Sequence, residues 1–225
     1  MHLRDPEGLW TGLSVRARTI VYSTDRVDPS ELSTYSDLAT EKWAGKLCLR
    51  TSKKIYTKSL VASIIHNQGQ EKATEIVKGW VDNLAAVPNA KDSHIMDAIL
   101  AGQCDVGLVN TYYFGRLIEE TPDAPLKLFW ANQDTTGVHV NVSGAGVTKH
   151  ASNAADATKL LEWLSSAKAQ ALYGSLNKEY PANQNISSDE IVSAWGSFKQ
   201  DKMNLAIAGK LQADAVKLMQ RLDYK

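Results

Sequence analysis

The stretch that most constrains this chain is Val106-Gly107-Leu108-Val109-Asn110, followed by Thr111-Tyr112-Tyr113-Phe114. Val106 to Val109 is a brief, unbroken apolar run closed by Asn110. A run without alternation suits a strand covered on both faces, the condition of a parallel sheet between helix layers. The chain turns at Asn110-Thr111, presents two adjacent tyrosines, and reads as the opening of a helix from Tyr113 through Ile118. Strand, polar turn and helix deliver side chains to the carboxyl edge of an open α/β sheet, where such folds bind ligands. Taken alone, the tyrosine pair has a plain reading: one ring packs and the other hydrogen-bonds.

A second unit runs in step with the first. Leu47-Cys48-Leu49-Arg50 reads as a strand, Thr51-Ser52-Lys53-Lys54 as a polar loop, and Tyr56–Ile65 as a helix burying Leu60, Val61, Ile64 and Ile65. Cys48 precedes Tyr56 by eight residues, and Cys104 precedes Tyr112 by eight. If the two strands are parallel neighbours, Tyr56, Tyr112 and Tyr113 arrive at one spot and the two cysteines approach each other at the far end. A disulfide and a reduced pair of core thiols both fit that register.

Around these units the pattern predicts an α/β chain. Residues 1–12 read as a lead-in. Trp10 to Ser23 alternates as a strand, with Val15, Ala17, Thr19 and Val21 on one side and Arg16, Arg18, Ile20 and Tyr22 on the other. Two arginines on one strand face form an anion-seeking pair or mark a solvated edge strand. Asp28–Leu32 turns into a short helix. Further helices are expected at about 70–83, 94–101, 154–165, 166–176, from Ser188 to about Phe198, and 203–222, with a strand at Leu126–Trp130. Gly137–Val147 is extended, with Ser143-Gly144-Ala145-Gly146 as a pliable crossing between two lobes.

Composition narrows the function classes. Lys+Arg and Asp+Glu both number 25, for a formal net charge of +0, which argues against nucleic-acid and acidic-membrane partners. No apolar run approaches the roughly 18 residues needed to span a bilayer. Met1 leads into polar residues, so no signal peptide is expected here. His66, His94, His139 and His150 lack metal spacing and read as surface or packing residues. There is no phosphate loop, no nucleophile elbow and no general acid/base pair, so an enzyme is not expected. Three converging phenols suit a hard, highly charged cation, which takes oxygen donors. A trivalent ion would displace the phenolic protons near neutral pH, although a free tyrosine has a pKa of about 10. Ser52, Asn110, Arg16 and Arg18 are available to a companion anion.

Trp10–Arg18, Leu49–Tyr56, Asn110-Thr111-Tyr112-Tyr113, Val142–Val147 and Glu179-Tyr180-Pro181-Ala182-Asn183 resemble the ferric-iron-binding periplasmic proteins of bacterial ABC transporters. The resemblance implies a type II periplasmic-binding-protein fold with one complete lobe and part of a second. It divides the chain into residues 1–18, a remnant of the amino-terminal lobe and first crossover; 19–142, a carboxy-terminal-type lobe carrying the tyrosines; 143–193, part of the amino-terminal-type lobe; and 194–225, closing helices. It implies Fe3+ held by Tyr56, Tyr112 and Tyr113, with carbonate or phosphate as companion anion. Ser52 and Asn110 would line the anion pocket, and Arg16 or Arg18 would lie behind the ligands. It further implies a periplasmic location and an inner-membrane permease as partner. Family members carry a secretion signal and roughly a hundred residues ahead of this stretch. Their segment holds a further ligand, for which His2 is no substitute, so a bare sheet edge and apolar face are expected, open to another chain. Anion or polyamine binding, and a ligand-sensing regulatory role, are alternatives on the same fold.

Overall fold

Thr11–Ser23 forms one strand, β1, in the computed structural model, which describes residues 3–183 and 185–225. Met1, Gln184 and the His2 discussed above lie outside the described residues. The chain continues through 3-10 turns at Pro29–Glu31, Asp37–Ala39 and Glu41–Trp43. Then follow β2 (Leu47–Cys48), α1 (Ile55–Asp82), α2 (Asp92–Leu100), β3 (Val106–Asn110), α3 (Thr111–Glu120), β4 (Leu126–Phe129) and β5 (Val140–Ala145). The remainder is α4 (Ala154–Leu164), α5 (Ala167–Asn177), β6 (Tyr180–Pro181), α6 (Glu190–Ser193) and α7 (Leu205–Arg221).

β1 belongs to two sheet regions. Its carboxy-terminal half pairs antiparallel with β3, from Arg18↔Asn110 to Tyr22↔Val106, and with β4 on the other edge. Its amino-terminal half pairs with β5 and β6. The solvated-edge reading of Trp10–Ser23 is therefore corrected: β1 is an interior strand, and the run stays continuous across residues 18 and 19. β2 and β3 are parallel, with Cys48 opposite Gly107.

The alternation along β1 and β3 sorts side chains into two cores. Ile20, Tyr22, Val106 and Leu108 join the core under α1 and α7. Val21 and Val109 join the one under α2 and α3, together with Ile95, Ile99 and Phe114. Both faces are covered, which is why Val106–Val109 shows no polar alternation. Gly107 is required here, because a Cβ would stand 2.9 Å from the Cys48 carbonyl oxygen and against Ile95. Val15, Ala17, Val138 and Val140 form a third, smaller core.

The two helices expected at Tyr56–Ile65 and 70–83 are the halves of α1, kinked at Gly69, whose φ is 83°. Three local expectations are corrected. α3 begins at Thr111, so both tyrosines lie in its first turn rather than in the preceding loop. Ser143 to Ala145 is mostly strand, not a pliable link: Gly144 pairs with Gly12, and its missing side chain admits the Thr11 carbonyl oxygen 3.0 Å from where a Cβ would be. α6 stops at Ser193 instead of reaching Phe198. Gly196 turns the chain with φ 76°, and the Trp195 carbonyl accepts from Trp130 Nε1 at 3.0 Å.

An apolar face is left open on one side. α4 contributes no buried residue. Leu160, Trp163, Leu172 and Leu176 of α4 and α5 are exposed, Leu176 by 77%. Among the described residues β5 pairs only with β1.

A buried polar knot joins the strands. Asp92, in the first turn of α2, is fully buried. Its Oδ2 accepts from Arg18 Nη1 at 3.1 Å and from the Asn110 amide at 2.9 Å. Its Oδ1 lies 3.3 Å from Arg50 Nη1. At the opposite end, the Cys48 and Cys104 sulfurs are 2.07 Å apart, the spacing of a disulfide.

Two outcomes follow from these ties. The untreated protein should contain no titratable thiol. Reductant should cost about 4 kcal/mol of unfolding free energy by the loop-entropy account, given the 56-residue separation. Asp92→Asn should cost roughly 3–5 kcal/mol in urea denaturation, because it leaves buried guanidinium charge uncompensated.

Candidate functional site

Parallel strands β2 and β3 end at the same sheet edge, and each feeds a helix there. Tyr56 is the second residue of α1, and Tyr112 and Tyr113 are the second and third of α3. The tyrosines thus sit on helix amino-termini, where the backbone dipole favours negative charge. The rings of Tyr112 and Tyr113 lie 4.2 Å apart between centroids, tilted by 31°. Burial, followed by hydrogen bonding with Tyr113 and Tyr56, pushes the Tyr112 hydroxyl well above the usual phenol range. Tyr112 is therefore protonated at neutral pH. Tyr112 is buried; Tyr56 and Tyr113 are half-buried.

Three arginines lie against the phenols, and a fourth lies deeper. Arg16 has its guanidinium carbon 5.4 Å from the Tyr56 centroid. It donates to Ser143 Oγ at 2.6 Å and to the Val142 carbonyl at 3.1 Å, with the buried Glu179 carboxylate 3.6 Å away. Arg50 stands 5.2 Å from the Tyr56 centroid and 5.7 Å from that of Tyr113. Arg116 stands 5.2 Å from Tyr112 and 6.0 Å from Tyr113. Arg18 is different: it is 1% exposed and bonded to Asp92, Asn110 Oδ1 and the Leu108 carbonyl. It serves the strand junction rather than the phenols.

Asn110 caps β3 directly beneath the tyrosines, fully buried, and its Nδ2 has no hydrogen-bond partner among the described residues. Ser52 lines a hollow of about 180 Å3 with Lys53, Lys58, Val216, Met219 and Gln220, on the α7 side. His66, His94 and His150 are exposed. His139 is buried, and burial followed by the Arg18 charge pushes it down to about 3. It is a neutral core histidine 2.9 Å from Ser59 Oγ. Among the described residues no group of three His, Cys, Asp or Glu side chains is placed to hold a metal.

Sequence reasoning did not single out Arg50, Arg116, Asp92 or Glu179. Arg50 carries a recognisable signal, being the last residue before the polar loop that leads to Tyr56. Arg116 carries another, standing one helical turn after Tyr112 and Tyr113. Nothing in the sequence marks Asp92 or Glu179 as buried.

Residues 1–199 match the family model described as bacterial extracellular solute-binding protein. The chain is 40% identical to iron uptake protein A1 of Synechocystis sp., over all of this chain and 64% of that one. It is 28% identical to the major ferric iron-binding protein of Neisseria meningitidis serogroup B, over 80% of this chain and 54% of that one. The chain thus spans about two thirds or less of the length of these curated relatives. Among solved structures, it superposes on a Trichodesmium FutA (IdiA) determined with iron and citrate, with TM-score 0.96 and 44% identity, over 100% of this chain and 73% of that one. A ferric binding protein from Campylobacter jejuni matches with TM-score 0.93 and 31% identity, over 100% and 73%. The architecture is the type II periplasmic-binding-protein fold, and the chain belongs to the family of bacterial extracellular solute-binding proteins.

Proposed function

We propose that this chain binds ferric iron through the phenolates of Tyr56, Tyr112 and Tyr113, with a small anion completing the shell, as the substrate-binding component of an ABC importer. The observation that carries this reading is the convergence of three tyrosines from two chain segments on helix amino-termini. A hard trivalent cation prefers such oxygen donors. Iron is the cargo, not a resident cofactor, and no bond is made or broken beyond exchange of protons for metal.

The surroundings suit the charge that binding creates. Three phenolates neutralise one trivalent ion, and a bound anion adds negative charge beside the arginines. The unpartnered Nδ2 of Asn110 and the Arg16 guanidinium, which overlies Tyr56, can receive carbonate, phosphate or a carboxylate such as citrate. Likeness to iron uptake protein A1 and to the iron-loaded FutA supports the same cargo. The partner that follows is a permease in the inner membrane.

Adding ferric citrate should produce a visible phenolate-to-iron absorption band. Tyr112→Phe and Tyr113→Phe should each abolish or strongly weaken it, costing at least about 1.4 kcal/mol, or tenfold, in retention. A colourless protein that retains no iron would sink the reading. Because Tyr112 starts protonated, loading should release its proton, and retention should fall in acid by at least about one decade per pH unit. Equilibrium dialysis across a pH series measures that slope.

A further inference from the structure

Arg50 is 6% exposed, yet it is not saturated as a buried guanidinium normally is. Its Nε and Nη1 lack hydrogen-bond partners, and only the Asp92 carboxylate, at 3.3 Å, balances its charge. Two ring faces stand against it instead, those of Tyr56 and Tyr113 at 5.2 and 5.7 Å. The contrast with Arg18 is instructive. Arg18, buried beside the same carboxylate, also has an unpartnered Nε, but both its Nη atoms donate, to Asp92, Asn110 and the Leu108 carbonyl. It closes the strand junction, and no aromatic ring lies over it among the described contacts.

The two tyrosines that Arg50 touches come from different helices. Tyr56 enters on α1 and Tyr113 on α3, and the strands before them are bridged near this edge by the Asp92 knot. Arg116, on α3 itself, lies against Tyr113, but among the described contacts Arg50 is the cation that lies against both Tyr56 and Tyr113. A planar cation lying against both can set the angle between their rings, since a guanidinium stacks on aromatic faces as a compact ammonium cannot.

We propose that Arg50 is a positioning residue of the metal site: anchored by Asp92, its planar guanidinium is wedged between the Tyr56 and Tyr113 rings and holds them in the relative orientation that presents both oxygens to one ion. The inference rests on the phenolate reading above. Asp92 thereby links the ligand rings to the β1–β3 junction through one carboxylate.

The test compares Arg50→Lys and Arg50→Gln with the unaltered chain, each loaded with ferric citrate and challenged with a chelator, while the absorption band is followed. Arg50→Lys keeps the charge opposite Asp92 and removes the plane. It should release iron about 10–100-fold faster, the usual cost of losing a group that orients metal ligands. Arg50→Gln also removes the charge that holds electron density on the phenolates, so its band should move to longer wavelength as well. A purely structural role would lower the unfolding temperature and leave the band of the loaded protein in place. Wild-type release from Arg50→Lys, or an unshifted band in folded Arg50→Gln, would overturn the proposal. If Arg50→Gln does not fold, release from Arg50→Lys decides. If the unaltered chain itself shows no band, the phenolate reading fails first, and the two failures are told apart by that control.

Discussion

The carboxylate of Asp92 holds together the segments that carry the site. It takes Arg18 from the long strand, Arg50 from the end of the β2 segment, and the backbone amide of Asn110 at the root of the tyrosine helix. A buried carboxylate is tolerated only when its charge is met, and Asp92 meets two guanidinium groups and sits at a helix amino-terminus. Two positive charges face one negative charge, so the knot leaves an excess positive potential below the sheet edge. That excess lies where phenolates and an anion would gather. The same contacts that hold the strands in register therefore favour negative ligands above them.

Burial works in opposite directions on the two kinds of group at the edge. It holds the Tyr112 hydroxyl protonated, so that oxygen carries no uncompensated phenolate charge. A trivalent ion reverses that preference, because bound cations invert local pKa logic. His139, deep in the same lobe, is kept neutral by desolvation and by Arg18. It adds no positive charge that would compete for the anion.

Position within the fold makes this economical. β1 is thirteen residues long and is shared by both sheet regions, so the arginines on it bridge the two halves. Arg18 faces the strand junction with β3, while Arg16, two residues earlier, reaches Ser143 and Glu179 on the other half. One strand therefore carries arginines into both sheet regions. The open apolar face of α4 and α5 belongs to the smaller half, where β5 and β6 each pair with β1.

Much of this was legible in the sequence, for local reasons. Unbroken valine and leucine runs announced doubly covered strands, and the matched eight-residue offsets announced two parallel units. Errors fell where a remote contact overrode a local preference: the Trp130 bond and Gly196 ended α6 early, and pairing with β1 made a strand of a small-residue stretch. The three tyrosines could be read from the chain because strand period and loop length determine where side chains emerge. Which arginine does what could not. Arg16 and Arg18 share one face by sequence, yet Arg18 is claimed by Asp92, seventy-four residues away, and Arg50 lies against phenols carried by two different helices. Periodicity sets which way a side chain points, whereas only the packed fold decides which charges meet, because that depends on segments the chain itself keeps far apart.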